Sequence, residues 1–382
     1  MSLAFKKDDN VAKALETVLD EIKFVPGNKV FIKPNLCGRE PIRLGENTSL
    51  EVMDALVDWL RTRGSYIMIG HGSLLGSHDH KFDFDDVIRS SGFIKYKNKE
   101  GIELINLDNE EREEVKIEEL SFHLPLKLLG KKIDTYINLA KVKTHMETTV
   151  SFSLKNQMGF PAPDDRVSMH RTDLEDTIAK LACYCRPDIS ILEGYPAMEN
   201  NGPHHGTTKD LNMMAASTDM VKIDSAMAWL LGYNPDNIKH LVKARELQVG
   251  DFISEEERKT AKQYLVNDFQ PAQQIYEFGK KIKAYPTYSC SRCITAVNKA
   301  GREFKEHPIK YWRILYKAFF SRENINIIFG RADKMDINPK GKIICIGQCS
   351  NKFAESIGKE GLIKCPPGVD EVREYLVKHI LE

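Results

Sequence analysis

Two short apolar runs, Lys29-Val-Phe-Ile-Lys33 and Tyr66-Ile-Met-Ile-Gly70, decide how this chain folds. Both are rich in β-forming residues, and Pro34 stops the first. Between them, Thr48 or Ser49 can cap a helix. Its apolar positions, Val52, Met53, Leu56, Val57, Trp59 and Leu60, recur at helical spacing, and Gly64 ends it. Strand, helix and strand at this spacing make a βαβ unit, which requires a parallel pair. Upstream, residues 10–23 read as a helix capped by Asp8, Asp9 or Asn10, followed by the turn Pro26-Gly27-Asn28.

The alternation continues downstream. Residues 133–139 are apolar and β-rich, and 148–158 begin a helix. Residues 172–185 form a helix with Leu174, Ile178, Leu181 and Ala182 on one face. Asp188-Ile-Ser-Ile-Leu192 and Met213 to Ala216 read as strands, and Lys222 to Leu231 as a helix ended by Gly232. Residues 240–280 are polar and mixed in charge, as in a solvated helical stretch. The character changes near Tyr285-Pro286-Thr287. The expected architecture is α/β: a mostly parallel sheet flanked by helices over residues 1–280, with a smaller Cys-rich α/β module over 281–382.

Hydrophobic residues make up 42% and charged residues 29% of the 382, which suits a globular chain rather than a disordered one. Lys plus Arg and Asp plus Glu both number 55, so no global field draws nucleic acid or anionic membranes, and local basic clusters must be argued separately. No apolar run approaches the ~20 residues of a membrane span. The N-terminus lacks the pattern of an export signal. A soluble, cytoplasmic protein with no nucleic-acid and no membrane partner is therefore expected. In that compartment its eight cysteines serve as thiols rather than disulfides.

Cys290-Ser-Arg-Cys293 places two thiolates on one turn, and Cys345, Cys349 and Cys365 follow. Cys345 lies inside the strand-like run Lys342 to Ile346, so it reads as a core residue. Cys290, Cys293, Cys349 and Cys365 are the expected ligands. Soft thiolate sets select zinc or iron–sulfur clusters. Structural zinc usually shows two paired knuckles, whereas here there is a single CxxC and a proline follows the last cysteine. A [4Fe–4S] cluster is the expected cofactor, with zinc as the alternative. Between these cysteines, Lys299 to Phe320 carries Tyr311, Trp312, Leu315, Tyr316, Phe319 and Phe320 among many basic residues. It reads as a helix packed on its own module, or as a docking face for a redox partner protein.

In the first part, polar residues gather where strands end. Lys33-Pro34-Asn35 closes one, and Lys141-Val-Lys143-Thr-His145 closes another. Lys155-Asn156 and His170 follow, and Glu193 ends a third. Parallel strands open their carboxyl ends onto one ligand crevice. Lys33, Asn35, Lys141, Asn156 and Glu193 are expected to bind a small anionic molecule there. Lys143, His145, Lys155 and His170 are the expected catalytic set, since Lys and His can hold or move protons. The run Gly70-His71-Gly72-Ser73 is a weak nucleotide signal, because no helix follows it directly.

Several motifs together resemble the family called domain of unknown function 362, whose members are described as iron–sulfur-centre proteins. They are Lys33-Pro34-Asn35, Lys141 to His145, Lys155-Asn156 with Gly159, Arg186-Pro187-Asp188, Gly202-Pro203 to Gly206, and Asp219 with Asp224. The resemblance spans about residues 28–250. It implies iron–sulfur binding in general. This chain lacks the dense ferredoxin-like cysteine run common among members, so the resemblance does not assign the ligands. The leading expectation is an iron–sulfur redox enzyme or electron-transfer protein acting on a small anionic substrate. The alternatives are a non-redox, racemase- or isomerase-like enzyme with a structural metal, and a scaffold or electron-transfer partner without its own substrate.

Overall fold

The computed structural model describes residues 2–37, 44–73, 83–169, 173–272, 276–287, 289, 291–332, 339–365 and 367–382. The chain divides into two compact units after Ala272.

In the first unit, β1 (Leu3–Lys7) leads into α1 (Val11–Glu21), β2 (Lys29–Pro34), α2 (Leu50–Arg61), β3 (Tyr66–His71), α3 (Phe84–Ser90) and β4 (Ile102–Asn106). A hairpin of β5 (Glu113–Ile117) and β6 (Leu120–Leu124) precedes β7 (Thr135–His145), β8 (Thr149–Ser151), α4 (Ser153–Asn156), α5 (Pro163–Met169) and α6 (Leu174–Ala182). Then come β9 (Ile189–Asn201), β10 (His205–Lys209), β11 (Met213–Ser217), α7 (Met220–Leu230), α8 (Lys239–Glu246) and α9 (Glu255–Ala261).

The main sheet runs β1-β11-β9-β7-β2-β3-β4. Strands β9, β7, β2, β3 and β4 are mutually parallel. β11 lies antiparallel to β9, and β1 antiparallel to β11. The period of two sorts each strand's side chains between faces. Val30 and Ile32 join a core with Leu15, Val18, Leu56 and Leu60 from α1 and α2. Phe31, between them, packs on the opposite side with Tyr136 and Phe160. A third core gathers α6, α7 and α8 over Val142, Leu192 and Ala215. α1 begins where Asn10 accepts a bond from the Lys13 amide at 2.9 Å, and it buries Val11, Ala14, Leu15, Val18 and Leu19.

The mostly parallel α/β architecture is the one the βαβ pattern required. Local readings differ at polar strands. β1 escaped notice because it is an edge strand with Lys6 and Lys7 at its open end. The Asn- and Gly-rich stretch after Met198 reads as a loop, yet it forms the β9–β10 hairpin, with Asn201 opposite His205. Residues 148–158 hold β8 and a four-residue helix, α4, in place of one helix from Thr148.

The second unit is built from β12 (Tyr276–Phe278), β13 (Ile282–Thr287), α10 (Ser291–Glu306), α11 (Trp312–Phe320), β14 (Ile325–Gly330), β15 (Lys342–Ile346), α12 (Asn351–Ser356), β16 (Gly361–Leu362) and α13 (Val369–Leu381). Its sheet order is β12-β13-β14-β15-β16, with β12 antiparallel and the other four strands parallel. None of the described helices is long and apolar enough to cross a membrane.

Candidate functional site

β7 is longer than its neighbour β2. The two pair from Val30–Thr135 to Pro34–Leu139, and β7 then continues to His145 alongside β9 and β8. This overhang puts Lys141 and Lys143 beyond the end of β2, while they stay paired with Glu193 and Met198 of β9. All eleven residues of β7 are buried, so both lysines are buried within a strand.

The two have different partners. Lys141 meets Glu193 at 2.6 Å, with both side chains fully enclosed. Glu193 also accepts from the Ser49 amide at 2.9 Å and the Tyr195 amide at 3.0 Å, and Lys141 donates to Ser49 Oγ at 2.9 Å. Burial lowers the Lys141 pKa, and Glu193 holds it up. This is a closed, satisfied pair. Lys143 instead donates to Asn35 Oδ1 at 2.7 Å, Cys37 Sγ at 2.9 Å and the Glu46 carbonyl at 2.8 Å.

From Asn35 the network runs on to Asn156 Oδ1 at 3.3 Å, which also accepts from Lys33 at 3.4 Å. Asn156 Nδ2 donates to Asn138 Oδ1 at 2.7 Å, and Asn138 in turn donates to Ser153. Lys33 is 1% exposed. Its other contacts are the Pro34 carbonyl at 3.4 Å and the face of Phe160 at 5.7 Å. Burial brings its pKa down to about 7, and the Arg166 charge adds to the shift. Among the described residues, no carboxylate stands within ion-pair distance of Lys33 or Lys143. Lys155, half-buried on α4, is brought down to about 8 by burial first, against the pull of the Glu147 charge.

α4 is held by Asp224, whose two oxygens accept from the Ser153 amide at 2.9 Å and the Leu154 amide at 2.8 Å. Its burial raises the carboxyl to about 8. The acid therefore acts at a helix start rather than at the network. Just after α4, Gly159 leaves space for Lys33. A Cβ there would lie 2.7 Å from Lys33 Nζ and 3.9 Å from His71 Nε2.

Lys33, Asn35, Lys143 and Asn156 thus join one buried network, with Lys155 beside it. Lys141 and Glu193 border it as a closed pair through Ser49. His145 is buried, and its Nδ1 accepts from the Glu147 and Thr148 amides at 3.2 and 3.3 Å. A neutral ring there carries its proton on Nε2. His170 lies outside the described residues.

The site also holds residues outside the expected set. His71, at the end of β3, is pushed well below the usual histidine range by burial and then by the Lys33 charge. Its strand-end position was the available signal. Asp108 ties Arg166 at 2.7 Å to the Ser73 amide at 2.6 Å, a pairing across 58 positions with no local trace.

In the second unit, the candidate thiols follow the carboxyl ends of parallel strands. Cys293 lies at the start of α10 after β13, Cys349 after β15, and Cys365 after β16. Gly347, at φ 85°, would place a Cβ 3.2 Å from Cys293 Sγ, so the turn leading to Cys349 passes directly against Cys293. Cys290 lies outside the described residues. Among those described, no three His, Cys, Asp or Glu side chains are grouped to hold a metal ion. Cys345 is buried inside β15, where burial raises its thiol to about 11. Cys293, Cys349 and Cys365 thus all follow strands on the carboxyl edge of this sheet.

The family model of a domain of unknown function, DUF362, matches residues 30–229, more than half of the chain. The chain belongs to the DUF362 family. The match contains every described element of the lysine–asparagine network. The DUF362 chain is also 27% identical over 259 residues to the thylakoid-associated protein sll1697 of Synechocystis sp. (strain ATCC 27184 / PCC 6803 / Kazusa), covering 63% of this chain and 76% of that protein. Among solved structures, the lactate racemase apoprotein of Thermoanaerobacterium thermosaccharolyticum aligns with a TM-score of 0.42 at 10% identity, over 99% of this chain and 81% of that one.

Proposed function

We propose that this DUF362 protein is an iron–sulfur redox enzyme acting on a small anionic substrate. One observation carries the substrate half of the reading. Two ammonium groups, Lys33 and Lys143, are buried in a single network through Asn35 and Asn156, and only neutral oxygens and a thiol face them. A buried charge without a counter-charge is costly, and an anion entering the network would offset that cost through charge-assisted bonds. Lys33, Asn35 and Asn156 are the binding groups in this reading, with Lys141 and Glu193 bracing the wall. Lys143, His145, Lys155 and His170 are the proton-transfer set, and Lys33 joins them because its pKa of about 7 lets it exchange a proton near neutrality.

Cys290, Cys293, Cys349 and Cys365 would hold the [4Fe–4S] cluster. The passage of Gly347 against Cys293 supports bringing the two loops to one centre. Such a cluster supplies one-electron chemistry. Thiolate ligation favours a reducing compartment, so the reading places the protein in the cytoplasm. A second reading, a proton-transfer enzyme with structural zinc, draws on the neutral His71 beside a lysine poised near pH 7, an arrangement that needs no electrons.

Metal analysis of anaerobically prepared protein separates the two. About four irons per chain, lost on replacing Cys290, Cys293, Cys349 or Cys365 by Ser and kept in Cys345→Ser, is the expected result. One zinc per chain and no iron would overturn the redox reading. Calorimetric titration with small carboxylates and phosphate should show binding that Lys33→Met abolishes. Identical isotherms for the two proteins would remove the substrate half.

A further inference from the structure

The segment from Lys299 to Arg322 carries seven Lys or Arg residues and only two Glu, in a chain whose total charge is zero. α11 lies within it, and that helix is turned outward. Only Ile314 and Ala318 are buried. Trp312, Tyr316, Phe319 and Phe320 stand 63%, 59%, 45% and 69% exposed, and Ile309, just before the helix, stands 90% exposed. Positions 312, 316, 319 and 320 share one helical face. The rings touch: Tyr316 and Phe320 are 5.3 Å apart, and Phe319 and Phe320 are 6.4 Å apart. Of the expected stripe, Tyr311 packs inward against Phe304, whereas Trp312, Tyr316, Phe319 and Phe320 do not pack on their own module. A contiguous patch of this kind marks an interaction surface.

We propose that α11 is a membrane-surface anchor that lays its aromatic face into an anionic lipid bilayer. Lys310 and Arg313, which flank Trp312 in sequence, and Arg322, just beyond the helix, are exposed, with Lys310 also 3.7 Å from Glu303; the composition suits the headgroup region of an acidic leaflet. Trp and Tyr are the side chains that settle at that depth, with one apolar body and one polar tip.

Two other occupants fit less well. A redox partner would need to approach the cysteines, which follow the carboxyl ends of the parallel strands. α11 sits at the other end of that sheet, where the Ala318 carbonyl accepts from the Lys280 and Lys281 amides just before β13 begins. A strand such as β14 separates the two ends by roughly 17–20 Å. A second copy of the chain, paired face to face by two-fold symmetry, would bring the same basic residues against themselves. An anionic surface complements both the charge and the rings.

The test uses the full chain with vesicles of phosphatidylglycerol and phosphatidylcholine, against phosphatidylcholine alone. Trp59 is buried and Trp229 half-buried, so Trp312 is the one exposed indole among the chain's three, and it reports insertion. Its emission should shift to the blue with the anionic vesicles only, and added salt should weaken binding. Lys310→Gln and Arg313→Gln should each weaken binding by about fivefold. Phe319→Ala with Phe320→Ala should remove the blue shift. Equal binding to neutral vesicles, or binding that survives the aromatic substitutions, would overturn the proposal. So would a dimer that these substitutions dissolve in a protein that ignores vesicles.

Discussion

Lys33→Met tests the central network most directly, because the substitution keeps the aliphatic stem against Phe160 and removes the ammonium. The native side chain titrates at about 7 instead of its ordinary 10.5. The unfolded chain therefore binds a proton that the folded chain gives up across that window. Stability should rise with pH from about 7 to about 10.5, and the full cost of the buried charge is present below about 7. A shift of that size corresponds to about 5 kcal/mol at most, since each pKa unit is about 1.4 kcal/mol. Urea unfolding of wild type and Lys33→Met at a series of pH values between about 6 and about 10 isolates this one group, because all other titrations are common to both. Lys33→Met should be the more stable protein near pH 6, and the two should converge by about pH 10. A bound anion should narrow the gap at low pH by stabilising wild type alone. Parallel stability curves for the two proteins would refute the reasoning, since Lys33 would then not be a buried, uncompensated cation.

Other expectations follow from neighbouring contacts. Glu193→Gln leaves the enclosed Lys141 ammonium without its carboxylate and should cost about 3–5 kcal/mol in the same unfolding assay. Asp224→Ala removes both acceptors at the start of α4 and should cost about 3 kcal/mol, and it should also weaken anion binding, because Lys155 and Asn156 ride on that helix. Gly159→Ala places a methyl 2.7 Å from Lys33 Nζ, so the flexible ammonium must move. Anion affinity measured by calorimetry should fall about tenfold, while thermal stability changes little.

The fold class was legible because it rests on local patterns. β-rich runs closed by breakers, with an amphipathic helix between them, leave a parallel sheet as the arrangement that buries both faces. The same logic marked Lys33, Asn35, Lys143 and Asn156 as neighbours before any coordinates, since parallel strands bring distant segments to one edge. Polar strands defeated it. β8 and β10 lack the apolar signature, and β1 shows only the three apolar residues Leu3, Ala4 and Phe5 before its lysines; what makes each a strand is its hydrogen-bonded partner, as in the register of β10 on β9.

What each lysine does was beyond the sequence. Lys141 and Lys143 are two residues apart on one strand and read alike. Only the folded chain brings Glu193 to the first and Asn35, Cys37 and the Glu46 carbonyl to the second. The pKa of Lys33 depends on how fully its surroundings exclude water and on Arg166, 133 positions away. The outward turn of α11 is likewise a tertiary outcome. An aromatic stripe at helical spacing has the same sequence whether it meets a core or solvent. Periodicity therefore determined that a helix forms with that face, and packing determined which way the face points.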